Sequence, residues 1–350
     1  MSVDYSEGLQ LLVFLVWLKF VCCLVIILFA GTKAARYGDI IAEKTGLGRI
    51  WIGLVLLAVI TSMPELITGV SSTALVGVPD LGLGTLLGSC IFNITILAVL
   101  DVMHRGSPVL NGASSRHMIP AAIGILLIGI AVGGIAAGER FPGLALGWVG
   151  VPSIIIFVVY LLGMWRLSPS QGSQQADSLP DIIELYQDSS LRSVWPRFAL
   201  AALAIIGSGI WLSYIGDEIA AVTHWDESFV GSLLLAITTS MPELVVAIAA
   251  LRLGAIDMAV ADILGANMLD ISYIFILDLF YTKGSLLVSV SRAHLITAAV
   301  LISMSLVVVL GLRFRQRRKT FYIISWYSLL LIGLYVYGAY ALFTSGIGAA

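Results

Sequence analysis

The pentapeptide Thr-Ser-Met-Pro-Glu occurs twice in this 350-residue chain, at Thr61–Glu65 and again at Thr239–Glu243. Both copies sit in hydrophobic stretches long enough to cross a bilayer. A bare carboxylate in hydrocarbon costs from about 3 to more than 10 kcal/mol, so acids in such places mark ion pathways. On a helix, Thr61, Ser62 and Glu65 fall at i, i+1 and i+4, which puts the hydroxyls on the carboxylate's face. Pro64 removes a backbone donor and frees a carbonyl near that face. Carboxylate, hydroxyl and freed carbonyl oxygens are the ligands that Na⁺ and Ca²⁺ prefer. Thr239, Ser240, Pro242 and Glu243 repeat the set. The bland reading of one copy is a proline kink with a hydrogen-bonded Glu; two copies read as two halves of one cation site.

The duplication runs from Thr61 to Asp101 and from Thr239 to Asp278. One extra residue in the first copy, before Asp80, brings Asp80 over Asp257, Gly88 over Gly265, Asn93 over Asp270 and Asp101 over Asp278. A match of this length is an internal repeat. Thr85, Ser89 and Asn93 form a polar stripe at spacing four, matched by Asp262, Ala266 and Asp270. Three carboxylates, Glu65, Glu243 and Asp270, thus belong to the centre. One Ca²⁺ or two to three Na⁺ would neutralise them, so these ions compete there, and Asp270 shares a cation or carries a proton in part of the cycle. Asp80 and Asp257 begin spans and read as helix N-caps, and Asp101 and Asp278 read as structural. Asp262 stands over a neutral partner and reads as lining the ion path from the cytoplasmic side. His104, His117, His224 and His294 lack metal-ligand spacing.

The elements that must position these groups follow from composition. The chain is 59% hydrophobic and 11% charged, with a mean hydropathy of +1.02. Soluble domains carry about 25% charged residues, so this is an all-α integral membrane protein. Ten spans are expected, at roughly 10–29, 51–76, 81–101, 117–137, 145–165, 198–215, 229–251, 258–280, 293–312 and 321–343. The residues before the first span hold Asp4 and Glu7 and no Lys or Arg, unlike a secretory leader. Lys19 reads as facing a protein neighbour or snorkelling. Cys22, Cys23 and Cys90 suggest neither disulfides nor zinc.

With the amino terminus outside, the basic residues collect in cytoplasmic connections, leaving Arg140, Lys283 and Arg292 outside and Lys19 within a span. The positive-inside rule therefore predicts both termini extracellular. The two pentapeptides lie in spans two and seven, five crossings apart, and so enter from opposite sides. That is an inverted repeat, the architecture of secondary transporters with midplane sites. The organisation expected is a first five-helix repeat at 1–165, a cytoplasmic linker at 166–197 and a second five-helix repeat at 198–350.

Both segments resemble the alpha repeats of the sodium/calcium exchanger family, within the cation/calcium antiporter superfamily. The resemblance covers the ten-helix layout, Thr-Ser-x-Pro-Glu in both copies, and the segments Gly88–Asn93 and Gly265–Asp270. It implies that Glu65 and Glu243 coordinate Ca²⁺ and Na⁺. Thr61, Thr239, Ser62 and Ser240 would add oxygens, as would Ser89, and Asn93 and Asp270 would face each other. It implies alternating access by sliding of helices 1 and 6, here residues 10–29 and 198–215. Proton-coupled members tend to have Gly-Asn-x-x-Glu, so the sodium-coupled branch fits better. The chain departs from the family at Ile60, where Gly is usual, at Cys90, and at Ala266, which removes a sodium-site hydroxyl.

The function expected is Na⁺/Ca²⁺ antiport in the plasma membrane, with the two ions as transported ligands and no resident cofactor. The bilayer is a partner and nucleic acid is not. Proton- or potassium-coupled exchange stays open, as does the choice among Ca²⁺, Mg²⁺ and Mn²⁺. An intramembrane metal-dependent enzyme has no need of an inverted duplicate site, and a channel suits sealed carboxylates less well.

Overall fold

Lipid offers no hydrogen bonds, so backbone crossing it must satisfy itself, which an α-helix does within one segment. The computed structural model describes residues 2–44, 58–138, 140, 144–167, 190–316 and 318–347. Among them it is helical apart from turns and a two-residue antiparallel pair, β1 (Ala145–Leu146) and β2 (Val149–Gly150). The main helices are α1 (Ser2–Lys44), α2 (residues 58–61, then Met63–Val70 and a π-helical turn Ser71–Val76), α3 (Pro79–Met103), α4 (Met118–Gly138) and α5 (Val151–Leu167). The second half holds α6 (Leu191–Thr223), α7a (Glu227–Thr239), α7b (Met241–Arg252), α8 (Ile256–Phe280), α9 (Ala293–Arg313) and α10 (Trp326–Ile347).

Seven of the described helices are long and apolar enough to cross a membrane, and α7a with α7b makes an eighth, bent by 44°. The fifth expected span is a helix of 17 residues, and part of the second, residues 51–57, lies outside the described residues. Several boundaries differ from the hydropathy reading. α1 runs 43 residues to Lys44, because a helix needs only its own hydrogen bonds and continues where the apolar run stops. Its last turns meet the early start of α6, where Ile40 and Ile41 pack on Val194. Residues 191–197 are therefore helix and not linker, while 168–189 lie outside the described residues. The β1–β2 hairpin, turning at Gly147 with φ +67°, delays α5 to Val151.

Burial separates centre from periphery. In α3 and α8, 83% and 72% of the most apolar window is buried, against 22% in α1 and α10. Buried on most of their surface, α3 and α8 form the interior. α1 and α6 pack on each other and lie across the broken helices. A Cβ at Gly31 would stand 2.3 Å from Pro242 Cγ on α7b, and one at Gly209 would stand 2.9 Å from Ile67 Cγ2 on α2. Only glycine allows these approaches. Lys19 on α1 pairs with Glu218 on α6 at 2.7 Å.

The four flanking aspartates bind the halves together, though not as helix caps. The N-cap positions of α3 and α8 are Val78 and Ala255, without side-chain caps. Asp80 and Asp257, two residues further on, reach across to the other half. Asp80 Oδ1 accepts from the Ser291 amide at 2.6 Å and meets His294 Nε2 at 3.0 Å. Asp257 Oδ1 accepts from the Ser114 amide at 2.5 Å and meets His117 Nε2 at 2.7 Å. At the other helix ends, Asp101 accepts from the Val109 amide at 3.0 Å and Asp278 from the Leu286 amide at 2.7 Å, each eight residues on. Such reciprocity, i to j and its counterpart back, is the mark of a two-fold relation.

Candidate cation site

α2 and α7 break at their pentapeptides for a local reason. Pro64 and Pro242 lack the amide that would bond the carbonyl four residues back, so Ile60 and Thr238 lose those donors. The residue before each Met-Pro leaves helical geometry: Ser62 has φ −82°, ψ 9° and Ser240 has φ −86°, ψ 9°. Each second limb then begins with the glutamate in its first turn. There the exposed amides favour negative charge.

The breaks turn the serines toward the opposite repeat. Ser240 Oγ donates to Glu65 Oε1 at 2.8 Å, and Ser62 Oγ donates to Glu243 Oε1 at 3.4 Å. Helical spacing had put each hydroxyl beside the carboxylate of its own helix; the structure exchanges them. Thr61 and Thr239 each donate to the carbonyl three residues earlier, Ala58 and Ala236, at 3.2 Å. The Thr239 and Ser89 hydroxyls hydrogen-bond each other at 3.2 Å. The Ser89 and Thr239 hydroxyls also lie beside Glu65, and Ser62 lies beside Asp270.

α3 and α8 meet through repeat-equivalent residues. Cys90 Sγ donates to the Asn267 carbonyl at 3.6 Å, and Asn267 Nδ2 donates to the Cys90 carbonyl at 3.1 Å. Asn93 Nδ2 donates to Asp270 Oδ2 at 3.5 Å. Gly88 admits the π-helical turn of α7a: a Cβ there would lie 2.2 Å from the Ser232 carbonyl oxygen.

All nine expected site residues (Thr61, Ser62, Glu65, Ser89, Asn93, Thr239, Ser240, Glu243 and Asp270) are fully buried. Four oxygens in this enclosure have no hydrogen-bond partner: Glu65 Oε2, Glu243 Oε2, Asp270 Oδ1 and Asn93 Oδ1. A buried ionised group without compensation is costly, and a cation supplies the compensation. Among the described residues no three His, Cys, Asp or Glu side chains converge as a ready metal cluster. A cation here would therefore take a mixed set of carboxylate, amide, hydroxyl and carbonyl oxygens, which suits Na⁺ and Ca²⁺.

Sequence reasoning missed three residues, one in the site and two in the flanking clamps. Asn267, its Oδ1 also unpartnered, stands under Cys90 in the repeat alignment, a signal available from the start. His117 and His294 had no such signal. Their partners come from the other half.

The sodium/calcium exchanger protein family matches the chain over residues 15–166 and 193–344, one match for each half. Inner membrane protein YrbG of Escherichia coli (strain K12) is 27% identical over 268 residues, 75% of this chain and 79% of that protein. Among solved structures, the sodium-calcium exchanger NCX_Mj soaked with Na⁺ and Sr²⁺ superposes with a TM-score of 0.59. It is 20% identical, with 93% of this chain and 97% of that one covered. Native YfkE superposes with a TM-score of 0.64 at 18% identity, over 97% of this chain and 98% of its own. These likenesses show a shared fold.

Proposed function

Because the chain belongs to the sodium/calcium exchanger protein family, and is thus a transporter and not an enzyme, we propose that it exchanges Na⁺ for Ca²⁺ by alternating access. The observation that carries this reading is the exchanged pair Ser240–Glu65 and Ser62–Glu243, closed around four unpartnered oxygens. Each half supplies a carboxylate whose companion hydroxyl belongs to the other half. A site built this way opens when the halves shift and closes when a cation draws them together.

The proposed ligands are Glu65, Glu243 and Asp270 for charge, with Asn93, Thr61, Thr239, Ser62, Ser240 and Ser89 completing the oxygen set. Ca²⁺ and Na⁺ are cargo, and no resident cofactor is required. The proposed layout is ten spans in two inverted five-helix repeats joined between Leu167 and Leu191, with both termini outside the cell membrane by the positive-inside rule. The paired helices α1 and α6 are the moving unit. Gly31 and Gly209 give them close, unobstructed seats on Pro242 and Ile67, which supports sliding across the bundle.

One observation favours a lower sodium count or another coupling ion. Ser89 bonds Thr239, but Ala266, its counterpart, offers Thr61 no hydroxyl. The test is ⁴⁵Ca²⁺ uptake into proteoliposomes loaded with Na⁺ and diluted into Na⁺-free buffer, with parallel K⁺-gradient and pH-gradient arms. Uptake that needs internal Na⁺ and disappears in a Glu65→Gln, Glu243→Gln double variant supports the reading. Uptake driven by the pH or K⁺ gradient alone reassigns the coupling ion, and no flux under any gradient rejects Ca²⁺ as cargo.

A further inference from the structure

Asp262 lies outside the central set and is a buried acid that the transport site leaves unused. It is 3% exposed, and neither of its carboxylate oxygens has a hydrogen-bond partner. Position along α8 places it about 9 Å from the helix start and about 12 Å short of Asp270 at 1.5 Å per residue. The charged neighbour acting on Asp262 is Asp39, an exposed residue on the last turns of α1. On the inner side, Asp262 is in turn felt by Glu243. Asp262, buried and bare, is thus linked electrostatically to an exposed acid on α1 and to a glutamate of the central site.

The other half has nothing like it. The two-fold counterpart of Asp262 is Thr85, neutral and satisfied by donating to the Leu81 carbonyl at 2.8 Å. The flanking aspartates are repeated across the axis; this one is not. A bare buried carboxylate is costly unless it is compensated, and among the described residues Asp262 has no hydrogen-bond partner. Among the described residues the charged group acting on Asp262 is another acid, and a mobile cation would offset the buried carboxylate.

We infer that Asp262 and Asp39 form a second cation station, which receives Ca²⁺ or Na⁺ at one face of the membrane and hands it to Glu243. The station rests on the central site being a cation site. It makes the exchanger unequal on its two faces: the route through α8 has a buried acid, and the route through α3 has a hydroxyl. Cations are concentrated at the Asp39 face, so the apparent affinity there is higher than at the opposite face.

The experiment measures ⁴⁵Ca²⁺ KM separately at each face of full-length protein in proteoliposomes. An Arg36→Cys reporter in a cysteine-free background, labelled with an impermeant maleimide, identifies the face that carries Asp39. Asp262→Asn and Asp262→Thr, the latter copying Thr85, are expected to raise KM about tenfold at that face. At the other face the change should stay under about twofold. Asp262→Glu should retain the wild-type asymmetry, and Asp39→Asn should give a smaller rise on the same face. These two variants keep the test decisive should Asp262→Asn misfold. Equal shifts at both faces, or none, overturn the station. So does an unchanged KM with an altered pH dependence, which would make Asp262 a proton carrier. Wild-type protein without ⁴⁵Ca²⁺ flux under any gradient overturns the proposed function and this inference together; flux with unshifted variant KM overturns the inference alone.

Discussion

In the first half, α3 brings Thr85, Ser89 and Asn93 inward, all neutral; in the second, α8 brings Asp262, Ala266 and Asp270. The surrounding frame hardly differs: Asp80 and Asp257 clamp opposite loops, and Asp101 and Asp278 close equivalent turns. Contacts that define the fold have therefore stayed two-fold, while contacts that would meet an ion have not. Under the proposed exchange, such a scaffold would offer matched inward and outward states, and the unequal chemistry inside it would set what binds, how many, and from which side.

The glutamates test how equal the halves are at the centre. Glu65→Gln and Glu243→Gln should each weaken Ca²⁺ by at least a hundredfold, roughly 3 kcal/mol, because each leaves its cation and the partner serine without a buried charge. Comparable losses in ⁴⁵Ca²⁺ uptake would support a shared site. A loss confined to one variant would assign the site to one half.

The closing aspartates should separate the halves in stability. Asp101 is the richer acceptor, taking the Ser325 amide, the Ser325 and Ser328 hydroxyls and the Tyr327 hydroxyl at 2.8–3.0 Å. Lys319 lies at 3.9 Å from its carboxylate and also donates to the Asp101 and His104 carbonyls. Asp101→Ala should cost about 3–5 kcal/mol, as removing one side of a buried charged network does. Asp278 takes the Gly150 and Leu286 amides at 2.8 and 2.7 Å, and Asp278→Ala should cost about half as much. Thermal melts in detergent read the order; equal losses would deny that α10 is anchored through Asp101.

Two smaller changes make the halves more alike. Asp270→Asn copies Asn93 and removes one central charge, so the Na⁺ dependence of Ca²⁺ flux should lose steepness while Ca²⁺ still binds between the glutamates. Ala266→Ser copies Ser89 and should raise Na⁺ affinity a few-fold, the worth of about one hydrogen-bonding oxygen. An unchanged Na⁺ response would place Ala266 away from any sodium position. The smallest effect belongs to the Asp–His clamps. His117→Ala should cost under about 1 kcal/mol because Asp257 is 58% exposed. His294→Ala, whose ring is fully buried, should cost more in the same melts.

Much of this architecture could be read before any coordinates. Composition demands membrane helices, and the repeated Thr-Ser-Met-Pro-Glu identifies the elements that face one another. Proline chemistry predicts a freed carbonyl in each pentapeptide, since a missing amide is a property of the residue alone; the structure puts the break at Ser62 and Ser240. Helix ends were less legible. Hydropathy marks where lipid stops, whereas α1 and α6 continue until their packing stops. The hydroxyl partners of Glu65 and Glu243 were not legible at all. Spacing along one helix assigned each serine to its neighbour, and the break that proline causes sent it elsewhere.

The sequence by itself determined the solvent, the duplication, the carboxylates and the places where proline frees a carbonyl, because each depends on residue type and order. Tertiary structure alone decided that Ser240 serves Glu65 and Ser62 serves Glu243, that Asp80 and Asp257 clamp the opposite half, and that Asp262 is left bare. Those outcomes depend on which atoms two remote segments bring within about 3 Å, the reach of a hydrogen bond, and no local pattern encodes that distance.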